Sequence, residues 1–219
     1  MQALSRRARR CRKGLTRGLV PRPWNHVGWW ATFGRTREDQ GLTTTTGLHH
    51  VAFVTRDPEA TRKFYVDKLG MPLVHVENHL SGDGWFRHFF FDMGGGASLG
   101  FFELNGVGEK EDYATDLSST VGLPPWANHV AFRVENEQRL LELKQRFEGN
   151  GVEPLVEFDH GWCRSIYTVD PSGIAVEFCA TTKAEGFAMS EEEALRLLRQ
   201  PPEEFSEGSR KEQRKQPDK

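Results

Sequence analysis

The strongest constraint in this sequence is a tetrapeptide, His-Val-Ala-Phe, that occurs twice, at residues 50–53 and 129–132. Each copy precedes a stretch in which apolar residues recur at helical spacing, and then a Pro-Leu-Val tripeptide. Each copy is also followed by an apolar segment that contains one carboxylate, Glu103 in the first case and Glu177 in the second. A repeat of this size predicts two copies of one supersecondary unit, each opening on a histidine and closing on a glutamate.

Hydrophobic periodicity predicts the order β-α-β-β-β within each unit. Asp57-Pro58 supplies an N-cap followed by proline in the first turn, which is a strong signal for a helix start. Gly149-Asn150-Gly151 ends the second predicted helix. The predicted strands are 48–54, 73–77, 86–92 and 97–104 in the first unit and 129–134, 154–158, 163–169 and 174–180 in the second, whose helix is expected near 137–149.

The two units lie between segments of different composition. We expect a basic leader and linker over residues 1–46, one domain over 47–182, and a short helix followed by a charged, disordered tail over 183–219. Ser190 and Glu193 form a capping box for that helix, near 191–199. Within the domain, the expected parts are a first module at 47–104, a connector at 105–126 and a second module at 127–182.

Charge and cysteine usage restrict the classes of partner and compartment. Residues 1–37 carry ten of the 29 basic residues and no acidic one, so the rest of the chain has an excess of twelve acidic groups. Such a remainder is poorly suited to nucleic acid. No apolar run reaches the roughly 18 residues needed to span a bilayer, so no membrane insertion is expected. Three scattered cysteines fit a reducing compartment. We expect a cytoplasmic protein, or an organelle-matrix protein if the Arg-rich arm is a transit peptide.

The alternation of strand side chains predicts a site on the sheet face away from the helices. On this basis His50, Glu103, His129 and Glu177 all point away from the helix layer. If the two units pair edge to edge, these four groups converge in one concave cavity. Buried carboxylates need compensation, and a divalent cation is the simplest source of it. Nitrogen and oxygen donors suit Fe, Ni, Co, Mn or Zn.

Gly47 to Phe53, Phe64-Tyr65, Leu69-Gly70-Met71 and Asp170 to Gly173 together resemble the vicinal oxygen chelate superfamily. That superfamily includes glyoxalase I, fosfomycin resistance proteins, methylmalonyl-CoA epimerase and extradiol dioxygenases. The resemblance covers about residues 47–180. It implies an α+β fold of two βαβββ modules paired into an open, eight-stranded, barrel-like sheet. It also implies one divalent transition metal per site, with the ligands carried over to His50, Glu103, His129 and Glu177.

A narrower resemblance lies in the second unit. His160, Tyr167, the Asp170 turn and Glu177 are spaced much as in the extradiol dioxygenase signature, although Phe158 departs from its usual first position. The resemblance implies acid/base and hydrogen-bonding roles for His160 and Tyr167, beside a catalytic role for Glu177. On the strands that precede the closing strands, three further residues are expected to bind an anionic substrate group: Arg87, His88 and Arg164.

The number of protein ligands decides between two chemistries. Four ligands leave two positions of an octahedral ion for substrate oxygens, which suits a lyase or isomerase of the glyoxalase or epimerase type. Three ligands leave room for a catecholate and oxygen, which suits an Fe(II) extradiol dioxygenase. Because the repeat includes Glu103, the sequence slightly favours the first. A metal-free, drug-binding resistance protein is the third hypothesis. The expected partners are a small-molecule substrate and, in a homodimer, a second copy of the chain.

Overall fold

A computed structural model of the protein describes residues 47–183 and 189–204. The predictions for the leader at 1–46 and for most of the charged tail lie outside the described residues. The described strands are β1 (His50–Val54), β2 (Leu73–Ser81), β3 (Gly84–Gly94), β4 (Ala97–Asn105), β5 (His129–Val134), β6 (Val156–Asp159), β7 (Cys163–Val169) and β8 (Ala175–Thr181). The α-helices are α1 (Pro58–Arg62), which continues as a π-helix over Lys63–Lys68, α2 (Glu137–Gly149) and α3 (Glu191–Leu198).

The predicted helix boundaries follow from capping side chains. Asp57 accepts a hydrogen bond from the Ala60 amide at the start of α1, and Asn136 does the same for the Arg139 amide at the start of α2. The hydroxyl of Ser190 accepts a hydrogen bond from the Glu193 amide, so the predicted helix near 191–199 is present as α3. No helix in the described parts of the chain is long and apolar enough to cross a bilayer.

The eight strands form two mixed sheets of the same topology. The first has the order β1-β4-β3-β2 and the second β5-β8-β7-β6, with the opening strand of each module parallel to its closing strand. The two βαβββ modules are therefore as the sequence predicts. The predicted α+β fold of two paired βαβββ modules is confirmed, and its eight strands form two four-stranded sheets that are not closed into a barrel.

One hydrophobic core lies on the helix side of both sheets. Alternate residues of the strands point into it, and its completely buried side chains include Tyr65, Phe91, Phe101, Phe147 and Val176. Burying one such aromatic or aliphatic side chain stabilises the fold by about 1.5–3 kcal/mol. The core therefore fixes which face of each strand is available for a site.

Polar contacts on the same helix side join the two modules. The Tyr65 hydroxyl donates to Asp170 Oδ2 at 3.0 Å, and both side chains are buried. Asp170 Oδ1 accepts hydrogen bonds from the amides of Ser172 and Ile174, which shape the turn between β7 and β8. Burial raises the pKa of Asp170 to about 6. Lys68 adds a link between the modules by donating to the Gly151 carbonyl at 2.7 Å.

We predict that Tyr65→Phe lowers the free energy of unfolding by about 1–3 kcal/mol, because Asp170 loses a donor in a place that water does not reach. Chemical denaturation measured by circular dichroism would test this. Tyr113→Phe is the matched control, since that hydroxyl donates to the Thr55 carbonyl in a half-buried position and its loss should cost less. Equal costs for the two variants would contradict the structural role assigned to the Tyr65–Asp170 pair.

Candidate metal centre

The second module presents a histidine and a glutamate on the sheet face away from α2. On β5, Val130, Phe132 and Val134 are buried in the core, so His129 points to the opposite face. In the pairing of β5 with β8, His129 is opposite Ala175 and Ala131 is opposite Glu177. Glu177 therefore lies on the same face as His129, two residues further along. His129 Nε2 and Glu177 Oε2 are 3.0 Å apart. The prediction that these two side chains share a face is therefore confirmed.

Glu177 is a buried carboxylate whose two oxygens have different neighbours. Its side chain is only 7% exposed. The Ser165 hydroxyl donates to Oε1 at 2.5 Å, while Oε2 faces the His129 ring. Ser165 thus holds one oxygen, and the other points to His129, the second candidate metal ligand.

The orientation of His129 fits a metal ligand. Its Nδ1 lies 2.9 Å from the Trp126 carbonyl, and a carbonyl only accepts, so Nδ1 carries a hydrogen. In the neutral ring, Nε2 then carries no hydrogen, and its lone pair points at Oε2 of Glu177. That oxygen can also only accept a hydrogen bond. A cation would satisfy both atoms. Neighbouring ligand atoms of an octahedral ion with bonds of about 2.1 Å lie about 3 Å apart, which matches the observed separation.

His160 and Tyr167 form a hydrogen-bonded pair beside this carboxylate. His160 Nε2 lies 2.9 Å from the Tyr167 hydroxyl. Tyr167 is directly opposite Glu177 in the β7–β8 register, so its side chain shares the site face. Burial, and then the hydrogen bond and negative charge of Glu177, raise the pKa of Tyr167. The phenol therefore keeps its proton at neutral pH and can donate a hydrogen bond.

The site face of the first module is built from histidine and aromatic rings. Val51 and Phe53 pack against the core, so His50 points away from it. The centroid of the His50 ring lies 5.6 Å from that of Phe90 and 6.3 Å from that of His88. His88 in turn stacks on Phe102 with a centroid separation of 3.7 Å.

The strand registers identify which residue of the first module occupies the place of Glu177. Ala131 pairs with Glu177 in the second module, and the equivalent Ala52 pairs with Gly100 in the first. A Cβ atom at Gly100 would lie 3.0 Å from His88 Nε2 and 3.2 Å from the Phe90 ring. The space of a second carboxylate is therefore taken by the His88 and Phe90 rings. His88 Nε2 is buried and has no hydrogen-bond partner within the described part of the chain, and burial lowers the pKa of this ring.

The structure does not bring Glu103 to this face, and the face predicted for it is wrong. Glu103 is on the same face of β4 as Leu99 and Phe101, which are completely buried in the core, so Glu103 lies on the helix side. There it accepts a hydrogen bond from Arg87 at 2.9 Å. Phe102, which the alternation in the sequence assigned to the core, lies on the site face instead.

The two arginines expected to bind substrate also lie on the helix-side faces. Arg87 is bound to Glu103 and to Asn78. Arg164 lies between Cys163 and Ser165, which point toward Glu177, and it forms an ion pair of 3.0 Å with Glu137 at the start of α2. Of the three predicted substrate-binding residues, only His88 is on a site face.

Cys163 belongs to the site of the second module, although the sequence analysis assigned it no role. Donor atoms of His160, Cys163 and Glu177 all lie within 4.8 Å of one another. Cys163 is 1% exposed, and burial raises the pKa of its thiol to about 12. The alternation of β7, with Cys163, Ser165 and Tyr167 on one face, is the sequence signal that could have placed this thiol beside Glu177.

His50 is not part of any such group among the residues that the structure describes. His50 is exposed, and so is His129, with 37% of its side chain accessible. The two halves of the predicted ligand set therefore lie on the faces of two separate sheets.

Sequence comparison relates the chain to several known proteins. A model of the glyoxalase/bleomycin resistance protein/dioxygenase superfamily matches residues 47–178. "Putative ring-cleaving dioxygenase MhqE" of Bacillus subtilis (strain 168) is 34% identical over 110 residues, which are 49% of this chain and 33% of that protein. Biphenyl-2,3-diol 1,2-dioxygenase 3 of Rhodococcus globerulus is 27% identical over 155 residues, 69% of this chain and 70% of that protein. The chain thus spans about a third of the first relative and more than two thirds of the second.

Comparison with solved structures finds similar chains of low sequence identity. A lactoylglutathione lyase from Agrobacterium tumefaciens is 20% identical, with a TM-score of 0.43 over 67% of this chain and 99% of that chain. The fosfomycin resistance protein FosX from Listeria monocytogenes is 22% identical, with a TM-score of 0.44 over 63% of this chain and 95% of that chain. The βαβββ repeat, the His129–Glu177 pair and the match over residues 47–178 lead to one conclusion: the chain belongs to the glyoxalase/bleomycin resistance protein/dioxygenase superfamily.

Proposed function

We propose that this protein is a ring-cleaving dioxygenase of the extradiol type, with one divalent iron held by His50, His129 and Glu177. The observation that carries the proposal is Gly100, which stands where a second carboxylate would have to be. The preference for a lyase or isomerase rested on Glu103 as a fourth ligand. That side chain lies on the opposite face of β4, bound to Arg87.

Two histidines and one carboxylate leave about three positions open on an octahedral ion. Fe(II) held by these three residues would leave room for a catechol and dioxygen, and it would supply the redox chemistry that joins the two reactants. A fourth protein ligand would remove one of the three positions. The absence of a carboxylate at residue 100 therefore favours oxygen chemistry over carbonyl polarisation.

Residues of the second module are suited to handle the substrate proton. A catechol that binds through both oxygens must release a proton from a hydroxyl group. The His160 ring, hydrogen bonded to the Tyr167 hydroxyl, can accept that proton and return it to the product. Tyr167 remains protonated at neutral pH because burial and Glu177 raise its pKa, so it serves as a hydrogen-bond donor.

Residues of the first module form an apolar face with one unsatisfied polar atom. The Phe90 and Phe102 rings contact His88, and the Phe86 ring packs against Phe102. These rings suit a flat aromatic substrate better than a charged one. The buried Nε2 of His88 has no hydrogen-bond partner among the residues that the structure describes, so it can hydrogen bond to a bound reactant. Both relatives found by sequence carry names that refer to ring cleavage or diol dioxygenation, which supports an aromatic diol as the substrate class.

The direct test is anaerobic loading of the full-length protein with Fe(II), followed by air and a panel of catechols that includes 2,3-dihydroxybiphenyl. We expect oxygen consumption together with a yellow ring-opened product. If protein loaded with Ni or Co instead isomerises a thiol–oxoaldehyde adduct without consuming oxygen, the lyase or isomerase hypothesis is favoured.

The two glutamates of the closing strands give a matched pair of variants. We predict that Glu177→Gln loses bound iron and at least about 10²-fold in turnover, because an amide replaces the charged ligand. Glu103→Gln should keep iron and activity, since it breaks only a partly exposed ion pair worth about 0–1 kcal/mol. Iron content by elemental analysis and initial rates provide the measurements. Loss of iron in both variants would restore Glu103 as a ligand and overturn the proposal.

The acid/base pair gives a separate prediction. His160→Ala should reduce turnover by roughly 10²–10⁴-fold while iron is retained, because the ring moves a proton and does not bind the iron. The dependence of turnover on pH should change as well, because the part of the profile that reflects protonation of the His160 imidazole should be lost. Tyr167→Phe should have a smaller effect and keep that part of the profile. A His160→Ala enzyme with wild-type rate and pH profile would exclude this role.

We further propose that a second copy of the chain completes each site. The contacts between modules lie on the helix side, through Tyr65 with Asp170 and Lys68 with Gly151, and the two site faces are turned outward. The site face of the first module offers imidazole rings but has Gly100 in place of a carboxylate, whereas the site face of the second module offers Glu177 with His129. In a two-fold dimer, the first module of each copy would face the second module of its partner, giving two equal sites.

Mixing two inactive variants tests this arrangement. His50→Ala and Glu177→Gln should each be inactive alone. After the two are unfolded and refolded together, the heterodimer should contain one intact site. With random pairing, we predict about a quarter of the wild-type activity, since half of the dimers are mixed and each has one of two sites intact. Light scattering that shows a monomer, together with no recovery on mixing, would contradict the dimer.

A further inference from the structure

We infer that His160, Cys163 and Glu177 form a second, thiolate-containing metal site that prefers zinc-like ions. The three side chains offer nitrogen, sulfur and oxygen donors whose atoms lie within 4.8 Å of one another. All three belong to the second module. The inference therefore needs neither the first module nor the ring-cleaving activity.

Backbone hydrogen bonds hold this cluster in place. The His160 amide donates to the Cys163 carbonyl at 2.9 Å, which closes the turn between β6 and β7. The Trp162 carbonyl accepts hydrogen bonds from the amides of Thr182 and Lys183, so the turn is tied to the end of β8. Since Glu177 lies on β8 itself, all three ligands are mounted on one hydrogen-bonded unit.

The donor types indicate which ions would bind. A thiolate favours Zn²⁺, Cd²⁺ and Co²⁺ over hard ions such as Mg²⁺ and Mn²⁺. Three protein ligands around a tetrahedral ion leave one position for water, an arrangement common for zinc. The Cys163 thiol is buried, with the Ser165 hydroxyl at 3.8 Å and the Cys179 thiol also within hydrogen-bonding reach. On binding, the metal takes the place of the thiol proton, which leaves to the solvent.

This site and the proposed iron site exclude each other because both use Glu177. One carboxylate oxygen already faces His129, and the cluster would turn the group toward Cys163 and His160. A zinc ion bound there would also occupy His160, the proposed proton carrier. If the proposed function holds, zinc is therefore an inhibitor whose action requires Cys163.

Cobalt(II) provides the probe, because a cobalt–thiolate bond gives an intense near-ultraviolet charge-transfer band. Metal-free, full-length protein titrated with Co²⁺ under anaerobic conditions should develop this band, and Zn²⁺ should abolish it by displacement. Cys163→Ser should lack the band and bind Zn²⁺ at least about 10- to 100-fold more weakly, the loss typical of removing even an indirect partner of a ligand. Cys179→Ser, on the neighbouring strand, is the matched control and should keep the band.

The outcome does not depend on substrate or oxygen, so failure of the ring-cleavage assay leaves this test intact. Circular dichroism would show whether Cys163→Ser folds. If it does not, His160→Ala should still weaken zinc binding while the cobalt–thiolate band is retained. Wild-type protein that binds Co²⁺ without the band, or a band that persists in folded Cys163→Ser, would overturn the inference.

Discussion

The burial of one face of each sheet against the helices is the constraint on which the rest of this structure depends. Once Phe91, Phe101, Phe147 and Val176 fill the helix side, every second residue of the strands has to face the other way. His50, His88, His129 and Glu177 are directed to the site faces for this reason alone. Glu103, Arg87 and Arg164 are directed away from them by the same rule. The packing of the core thus selects the chemistry that the molecule can present.

The duplication carries an asymmetry that has chemical meaning. Both modules open on a histidine, yet only the second has a carboxylate in the matching place on its closing strand. In the first module that place is Gly100, and the His88 and Phe90 rings occupy the space that a side chain would need. The site face of the second module therefore carries charged and titratable groups, whereas that of the first carries mainly aromatic and imidazole rings. Such a division fits a flat, oxygen-bearing substrate held between two unlike faces.

Glu177 has a central position because several possible partners converge on it. Ser165 fixes one oxygen, His129 faces the other, Tyr167 lies directly opposite, and His160 and Cys163 complete a second donor set. A buried carboxylate in such surroundings is stable only with compensating donors or a cation. Under the two proposals made above, the identity of the cation would decide which neighbours of Glu177 it engages. Nitrogen and oxygen donors across the two modules suit iron, whereas the thiol within the second module suits zinc.

The sequence by itself determined the repeat, the order of strands and helices, the helix caps and the family. It also pointed to His129 and Glu177 through the alternation of strand side chains, and to His160 and Tyr167 through the resemblance to the extradiol dioxygenase signature. Only the tertiary structure decided the faces of β4 and β7. The run Leu99-Gly100-Phe101-Phe102 ends in two adjacent aromatic residues, one on each face of the strand, so periodicity could not show that Phe101 is buried and Phe102 is not. Register, which depends on strand pairing across the sheet, placed Gly100 opposite Ala52 and moved Glu103 to the helix side. How the two sheets meet depends on contacts between modules distant in the chain, which local sequence patterns do not encode.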